Sequence, residues 1–295
     1  MITEETFAQE EARLGKPVHL HDGVWWAQVA PGYCKPVHEF RPFPPARSRP
    51  RLLKAWVGYS HQVPDAAQGT RNMVWNVLQG EDLADFSLER LKSKRRNMVR
   101  GGLRDCRVDA MSPDESTLEQ MRQINISQAR RFMAIQEKAT FLPPDYYVAQ
   151  AAQWRADMLK LFGHSGHQFF GAYVEDRLVA YVDLIRVEDT WMFGAVKSCD
   201  EDLKHRPVDA LYFHILLRAS QCGDCRRVVN GGGPDERPGL TSFKGEFLLK
   251  PQVVHYYTRT LIPLDQLRRL KDLIPSRRSL SAKSAPGSDT NPVAE

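Results

Sequence analysis

The residues best suited to chemistry are Asn230-Gly231-Gly232-Gly233-Pro234 and, after a short spacer, Gly239-Leu240-Thr241-Ser242-Phe243-Lys244-Gly245-Glu246-Phe247. A short strand, Arg227-Val228-Val229-Asn230, runs into the glycines. Glycine has no Cβ, so such a turn admits another molecule close to the backbone, and its N–H groups can face a carbonyl or a phosphate. Asn230, Gly231 and Gly232 are therefore candidate ligand-binding positions. Leu240, Phe243 and Phe247 recur at i, i+3, i+7, which predicts a short helix anchored on that face, with Lys244 pointing elsewhere. An ammonium beside a developing oxyanion or a diphosphate stabilises negative charge, making Lys244 the first candidate for catalysis and Phe243 a candidate substrate contact. The competing readings are a solvated surface lysine and a tight crossover without a ligand. No Gly-Lys-Ser/Thr follows at the spacing of a nucleotide-binding P-loop.

Further cations suggest anionic partners. Lys204-His205-Arg206 precedes Pro207, and Pro207 suits the first position of a helix, whose free N–H groups and dipole favour an anion. Arg96, Arg100 and Arg104 lie at i, i+4, i+8 and form a stripe that suits a phosphorylated acceptor or the backbone of a charged tRNA. A stripe of this kind is also what the solvated face of a helix looks like. Asp183 interrupts an apolar run and is the candidate proton acceptor, or else a carboxylate on a half-exposed sheet. Cys222-Gly223-Asp224-Cys225 closes a helix rather than opening one, which argues for a structural role. His19 with His21, and His164 with His167, have no evident third ligand, so no metal is expected.

The chain has 295 residues and 33.7 kDa, with 42% hydrophobic and 26% charged residues, as in soluble globular proteins. Its net charge of +5 is uneven: eight Lys or Arg lie between Arg90 and Arg107 against Asp105 alone. The acidic N-terminus has no apolar segment, and no run approaches a membrane span, so the expectation is a cytoplasmic protein. Five cysteines fit reduced thiols. Residues 1–15 read as a polar lead-in, and the chain from Val18 to about Val57 is rich in β-formers, as is Met73–Leu78. A helix is expected over 87–104 with Ser87 as N-cap, then a strand at 106–110, and helices over 113–139 and 145–162. Phe169–Val174 and Leu178–Ile185 form a hairpin about Glu175-Asp176-Arg177, joined by a strand at 190–196. The helix at 207–221 buries Val208, Leu211, Tyr212, Ile215, Leu216 and Ala219, and a last strand spans 253–257. Residues from Arg277 onward lack apolar periodicity and read as a disordered tail.

The order of hairpin, strand, helix, short strand, glycine turn and lysine helix resembles the second half of the GNAT (acyl-CoA N-acyltransferase) fold. The Gly239-Leu240…Phe243-Lys244…Phe247 run, the Ser93–Arg100 helix and Pro143-Pro144-Asp145-Tyr146-Tyr147 resemble the FemAB-like branch, over roughly Val74 to Tyr257. The resemblance implies an α/β protein of two fused GNAT-like subdomains, at 1–135 and 136–275, followed by the tail at 276–295. It implies N-acyl transfer to a primary amine of an amino sugar, a cell-envelope precursor or another small molecule. It also assigns the lysine matching Lys244 to the substrate or intermediate. Acyl-CoA is the implied donor and aminoacyl-tRNA the alternative; a binding protein that has lost catalysis is the third reading. The Arg/Gln-x-x-Gly-x-Gly/Ala loop that holds the CoA diphosphate in conventional GNAT enzymes is absent before Pro207, as it tends to be in this branch.

Overall fold

The computed structural model describes residues 1–51, 53–134, 142–231 and 238–260. Helix α1 (Glu4–Arg13) is followed by β1 (Val18–His21), β2 (Val24–Ala30), β3 (Tyr33–Pro36), β4 (Gly58–Val63) and β5 (Arg71–Gln79). Then come α2 (Glu81–Ala84), α3 (Ser93–Asp105), β6 (Arg107–Ala110), α4 (Glu115–Ala134), α5 (Pro144–Ala149) and α6 (Ala151–Phe162). The chain continues through β7 (His167–Val174), β8 (Arg177–Val187), β9 (Thr190–Ser198), α7 (Pro207–Gln221), β10 (Arg227–Asn230), α8 (Pro238–Glu246) and β11 (Lys250–Thr260).

All eleven strands join one sheet, in the order β1-β2-β3-β4-β11-β5-β10-β9-β8-β7-β6. β5 enters from early in the chain and lies between β10 and β11, antiparallel to both. The β7–β8–β9 meander is antiparallel, whereas β9 and β10 are parallel and joined through α7. That crossover needs a helix, and α7 supplies it with Leu211, Ile215, Leu216 and Ala219 fully buried on the sheet. The largest core lies under α7, α3 and α2; a second lies on the opposite face under α4, α5 and α6; a smaller one around Trp26 fills the β1–β4 end. No described helix is long and apolar enough to cross a membrane.

Several expectations need correction. Residues 1–15, read as a polar lead-in, form a helix docked on the core: Thr3 caps α1 by accepting the Thr6 N–H, and Phe7, Ala8 and Glu11 are buried. The helix expected from Ser87 begins at Ser93, because the Arg96 guanidinium donates to the carbonyls of Glu89 and Leu91 and holds the preceding turn open. Leu103 of this helix is exposed. Gly102 remains inside α3 because the helix crosses α7 closely there; a Cβ would meet the Arg206 carbonyl at 2.7 Å. The helix expected over 145–162 is two, broken at Gln150. The stretch 135–139 and the tail lie outside the described residues, while α7 and β10 have the expected ends.

Candidate active site

The ladder between β9 and β10 ends at Phe193↔Asn230. At the same point β9 bulges on its other side: Val182 pairs with Val196 and Leu184 with Phe193, so Asp183 alone faces both Gly194 and Ala195. A bulge adds twist and turns the strand away from its neighbour. With β10 stopping where β9 turns, the two strands part, and a cavity of about 430 Å³ opens between them. Gly194 and Ala195 are exposed on its wall. Phe132, Val196, Val208, Leu240 and Phe243 give it an apolar lining.

Lys244 reaches this cavity from α8 and is only 3% exposed, which overturns the surface-lysine alternative. Its Nζ donates to the Gly231 carbonyl at 2.7 Å and the Asn230 carbonyl at 3.3 Å. Asn76 Nδ2 also donates to the Gly231 carbonyl, at 3.0 Å. Asn230 donates through Nδ2 to the Tyr212 hydroxyl at 2.6 Å. Tyr212 in turn lies between Phe193, stacked at 4.5 Å, and Phe243, edge-on at 5.0 Å. Lys244, Phe243 and Asn230 therefore converge on one cavity, with Gly231 bonded to Lys244 at its edge. Gly232 lies outside the described residues.

Among the cavity residues that the sequence reading missed are Lys197, Gln128 and Arg131. Lys197 on β9 is half-buried, and burial pushes its ammonium below the ordinary lysine value. A lysine closing the apolar run Trp191–Val196 was the available signal. Gln128 of α4 donates to the Val196 carbonyl at 3.4 Å. Arg131 donates to Asp200 at 3.1 Å and also borders a larger, more open cavity of about 610 Å³ between α4 and the β8–β9 end. Among the described residues lining the 430 Å³ cavity there are three cations and no carboxylate, a setting that favours a ligand bearing or developing negative charge.

The other candidates lie elsewhere. Asp183 is buried behind the wall, bonded through Oδ1 to His167 Nδ1 at 2.8 Å; a Cβ on Gly194 would come within 3.0 Å of its Oδ2. Lys204 and Arg206 are exposed, and His205 is half-buried beside Asp105. None of these three is among the described residues lining the cavity. Arg96 is used by the turn before α3, Arg100 is exposed, and Arg104 pairs with Asp105. The helix's buried cation is instead Arg95, ion-paired with Asp209 of α7 and Glu246 of α8 and lying over the rings of Phe243 and Phe247.

His164 and His167 do have a third neighbour, Glu11, brought from α1, with donor atoms of the three within 4.8 Å of one another. The Gly166 N–H donates to His164 Nδ1, so neutral His164 carries its proton on Nε2, which faces Glu11 Oε1 at 3.5 Å. That proton occupies the lone pair a metal would need. All five cysteines are free thiols, and burial pushes Cys225 up to about 12, far from a reactive thiolate.

A mixed sheet with an antiparallel meander, a helical crossover to a parallel strand and a cleft where the two part is the architecture of the GNAT-type fold. The solved structures it resembles agree. The C-terminal domain of a protein assigned as a lysylphosphatidylglycerol synthetase from Agrobacterium fabrum superposes with a TM-score of 0.57 at 13% identity, over 90% of this chain and 91% of that one. L-PGS from Bacillus licheniformis gives 0.55 at 14% identity, over 93% and 96%. FemX gives 0.54 at 10% identity, over 90% and 92%. The sequence matches no family model and no curated protein.

Proposed function

We propose that this protein transfers an acyl or aminoacyl group from an activated ester or thioester to a primary amine, in the cleft between β9 and β10. The observation that carries the reading is a buried lysine, Lys244 of α8, bonded to the carbonyls at the end of β10 and lining the cleft with the bulged edge of β9. The amine nitrogen attacks the donor carbonyl carbon, forming the C–N bond as the C=O electrons move onto oxygen. Backbone N–H groups at Gly194 and Ala195 and the Lys244 ammonium stabilise that oxyanion. Collapse re-forms the carbonyl and breaks the C–S or C–O bond; the leaving group keeps the electron pair and takes up a proton. The proton lost by the attacking amine goes to Lys197, whose neutral form burial favours. Asp183 supports the wall from behind through Gly194 and is the alternative acceptor. Catalysis here is positioning and charge stabilisation, with no covalent enzyme intermediate.

Lys204, His205 and Arg206 at the start of α7 suit the diphosphate of an acyl-CoA, whereas exposed Arg100 suits a tRNA backbone. The lysyl group in the name of one similar structure supports an aminoacyl cargo. A cell-envelope precursor or an amino sugar supplies the amine. Two fused units dividing near residue 135 belong to the same proposal, with β5 of the first inserted into the strands of the second.

A thermal-shift screen with CoA, acetyl-CoA, long-chain acyl-CoAs and deacylated tRNA tests the donor. At about a hundred times its dissociation constant, a ligand stabilises by roughly 2.7 kcal/mol, a shift of degrees. A response to a CoA ester that weakens in Arg206→Ala identifies a thioester donor; a response to tRNA alone identifies the aminoacyl ester. With the donor in hand, the transfer rate should rise with pH through a midpoint below the ordinary 10.5 of lysine. In Lys197→Met that limb should vanish; an unchanged profile would remove Lys197 from proton transfer.

A further inference from the structure

The β3–β4 connection carries a feature that the cleft chemistry leaves unused. From Phe40 to Trp56 the chain has Arg41, Arg47, Arg49, Arg51 and Lys54 and no carboxylate. Arg41 pairs with Glu4, but Arg47, Arg49, Arg51 and Lys54 are all exposed. Among them stand Leu53, 93% exposed, and Trp56, 50% exposed. Single exposed apolar residues are ordinary on protein surfaces. A leucine and a tryptophan within four residues, ringed by four exposed cations with no ion pair among the described residues, are not.

The connection is held firmly. The Lys54 carbonyl accepts from Gln28 Nε2 at 3.4 Å and from Cys34 Sγ at 3.5 Å, and the Val57 N–H donates to the Gly32 carbonyl at 2.9 Å. The Trp56 indole lies flat enough over Gly32 that a Cβ there would meet it at 2.5 Å. The cations lie against the neighbouring strand: His19 of β1 is held below its ordinary value by burial first, then by Arg51, His21 and Lys54. Arg49 and, from β11, Arg259 both lie near Tyr59 of β4. His21, the neighbour of His19 on β1, meets Asp22 at 2.9 Å.

We propose that this surface docks the protein on an anionic lipid membrane, with Leu53 and Trp56 entering the headgroup boundary while Arg47, Arg49, Arg51 and Lys54 meet the phosphates. Tryptophan prefers that boundary because its ring is apolar and its N–H is polar. Long basic side chains keep their stems against apolar surface and their charges in the headgroups. A nucleic acid would also attract the cations and stack on Trp56, but an aliphatic side chain as exposed as Leu53 offers a base no π-face. The membrane therefore accounts for more of the surface. The proposal is independent of the cleft chemistry: β4 and β10 are three strands apart in the sheet, about 14 Å at the usual spacing.

The test is co-sedimentation of the full chain with phosphatidylcholine vesicles, with and without added phosphatidylglycerol, at low and high salt. Binding is expected only to the anionic vesicles and should weaken as salt rises. Arg51→Ala combined with Lys54→Ala should weaken it roughly thirtyfold, at about a factor of five for each basic residue. Leu53→Ser should weaken it at low and high salt alike, and both variants should keep the wild-type melting temperature because their side chains are exposed. No binding to anionic vesicles, equal binding to neutral ones, or full binding by both folded variants would overturn the proposal. So would binding to single-stranded RNA with none to vesicles, which would reassign the surface to nucleic acid.

Discussion

Lys244→Met should reduce the transfer rate by about a hundredfold to a thousandfold, the range for loss of one oxyanion-stabilising group. Methionine keeps the length and apolar stem of the side chain, so packing against α8's neighbours survives while the charge is lost. The fall belongs in kcat, since the ammonium acts on charge that develops only as the C–N bond forms. A structural role for the same residue predicts something else. Its Nζ holds the carbonyls of Gly231 and Asn230, and a carbonyl left buried and unpaired costs about 1–3 kcal/mol. Asn76 still serves Gly231, which limits that cost. Single-turnover rates and denaturant unfolding of the same variant separate the two roles: lower stability with an unchanged rate would make Lys244 a clamp for the strand end and nothing more.

Arg95→Ala should destabilise the protein by about 3–5 kcal/mol in urea unfolding, as expected when one member of a buried ion pair is removed. Arg95 is 7% exposed and joins three helices: α3, which carries it, α7 through Asp209, and α8 through Glu246. Its guanidinium also sits 4.7 Å from the centroid of Phe243 and 5.2 Å from that of Phe247. Burial raises the Asp209 carboxyl above its ordinary value, and Arg95 partly offsets this. A carboxyl whose value is raised on folding favours the folded state when protonated, and that contribution is lost as pH rises through the folded value. Without Arg95 the value rises further. The deficit of Arg95→Ala should therefore be largest at neutral pH and shrink as the medium is acidified, and Asp209→Asn should recover part of it. A deficit independent of pH would mean that packing on the two rings, rather than the charge pair, is what Arg95 supplies. Because α8 presents Lys244 and Phe243 to the cleft, the variant should also lose transfer activity at temperatures where it is still folded.

Local pattern made much of this legible in the sequence. The i, i+3, i+4 repeat of α7, the Pro207 start and the alternating hairpin strands are short-range signals, and the observed ends of α7 follow them. The same periodicity singled out Lys244 and Phe243 but set Lys244 opposite an anchored face, whereas Lys244 is buried and Leu240, expected to anchor the helix, is 44% exposed on the wall of the same cavity. Other features depend on distant partners, about which local sequence is silent. Glu11 reaches His164 from 153 positions away, and α1 buries Phe7 against the rings of His164 and His167, which lie similarly far along the chain. The basic helix illustrates the limit. Its periodicity singled out Arg96, Arg100 and Arg104, yet Arg95 is the cation that folding buries, since only the docking of α7 and α8 brings Asp209 and Glu246 to it. The cleft itself is tertiary: it exists because β9 bulges at Gly194–Ala195 where its ladder with β10 ends, and register between strands is settled by pairing in the assembled sheet. The sequence alone determined the hairpin strands, α7 and β10, and singled out Lys244 as a candidate. Only the tertiary structure decided which strands part, and therefore that Lys197 and Lys244 line the same cavity.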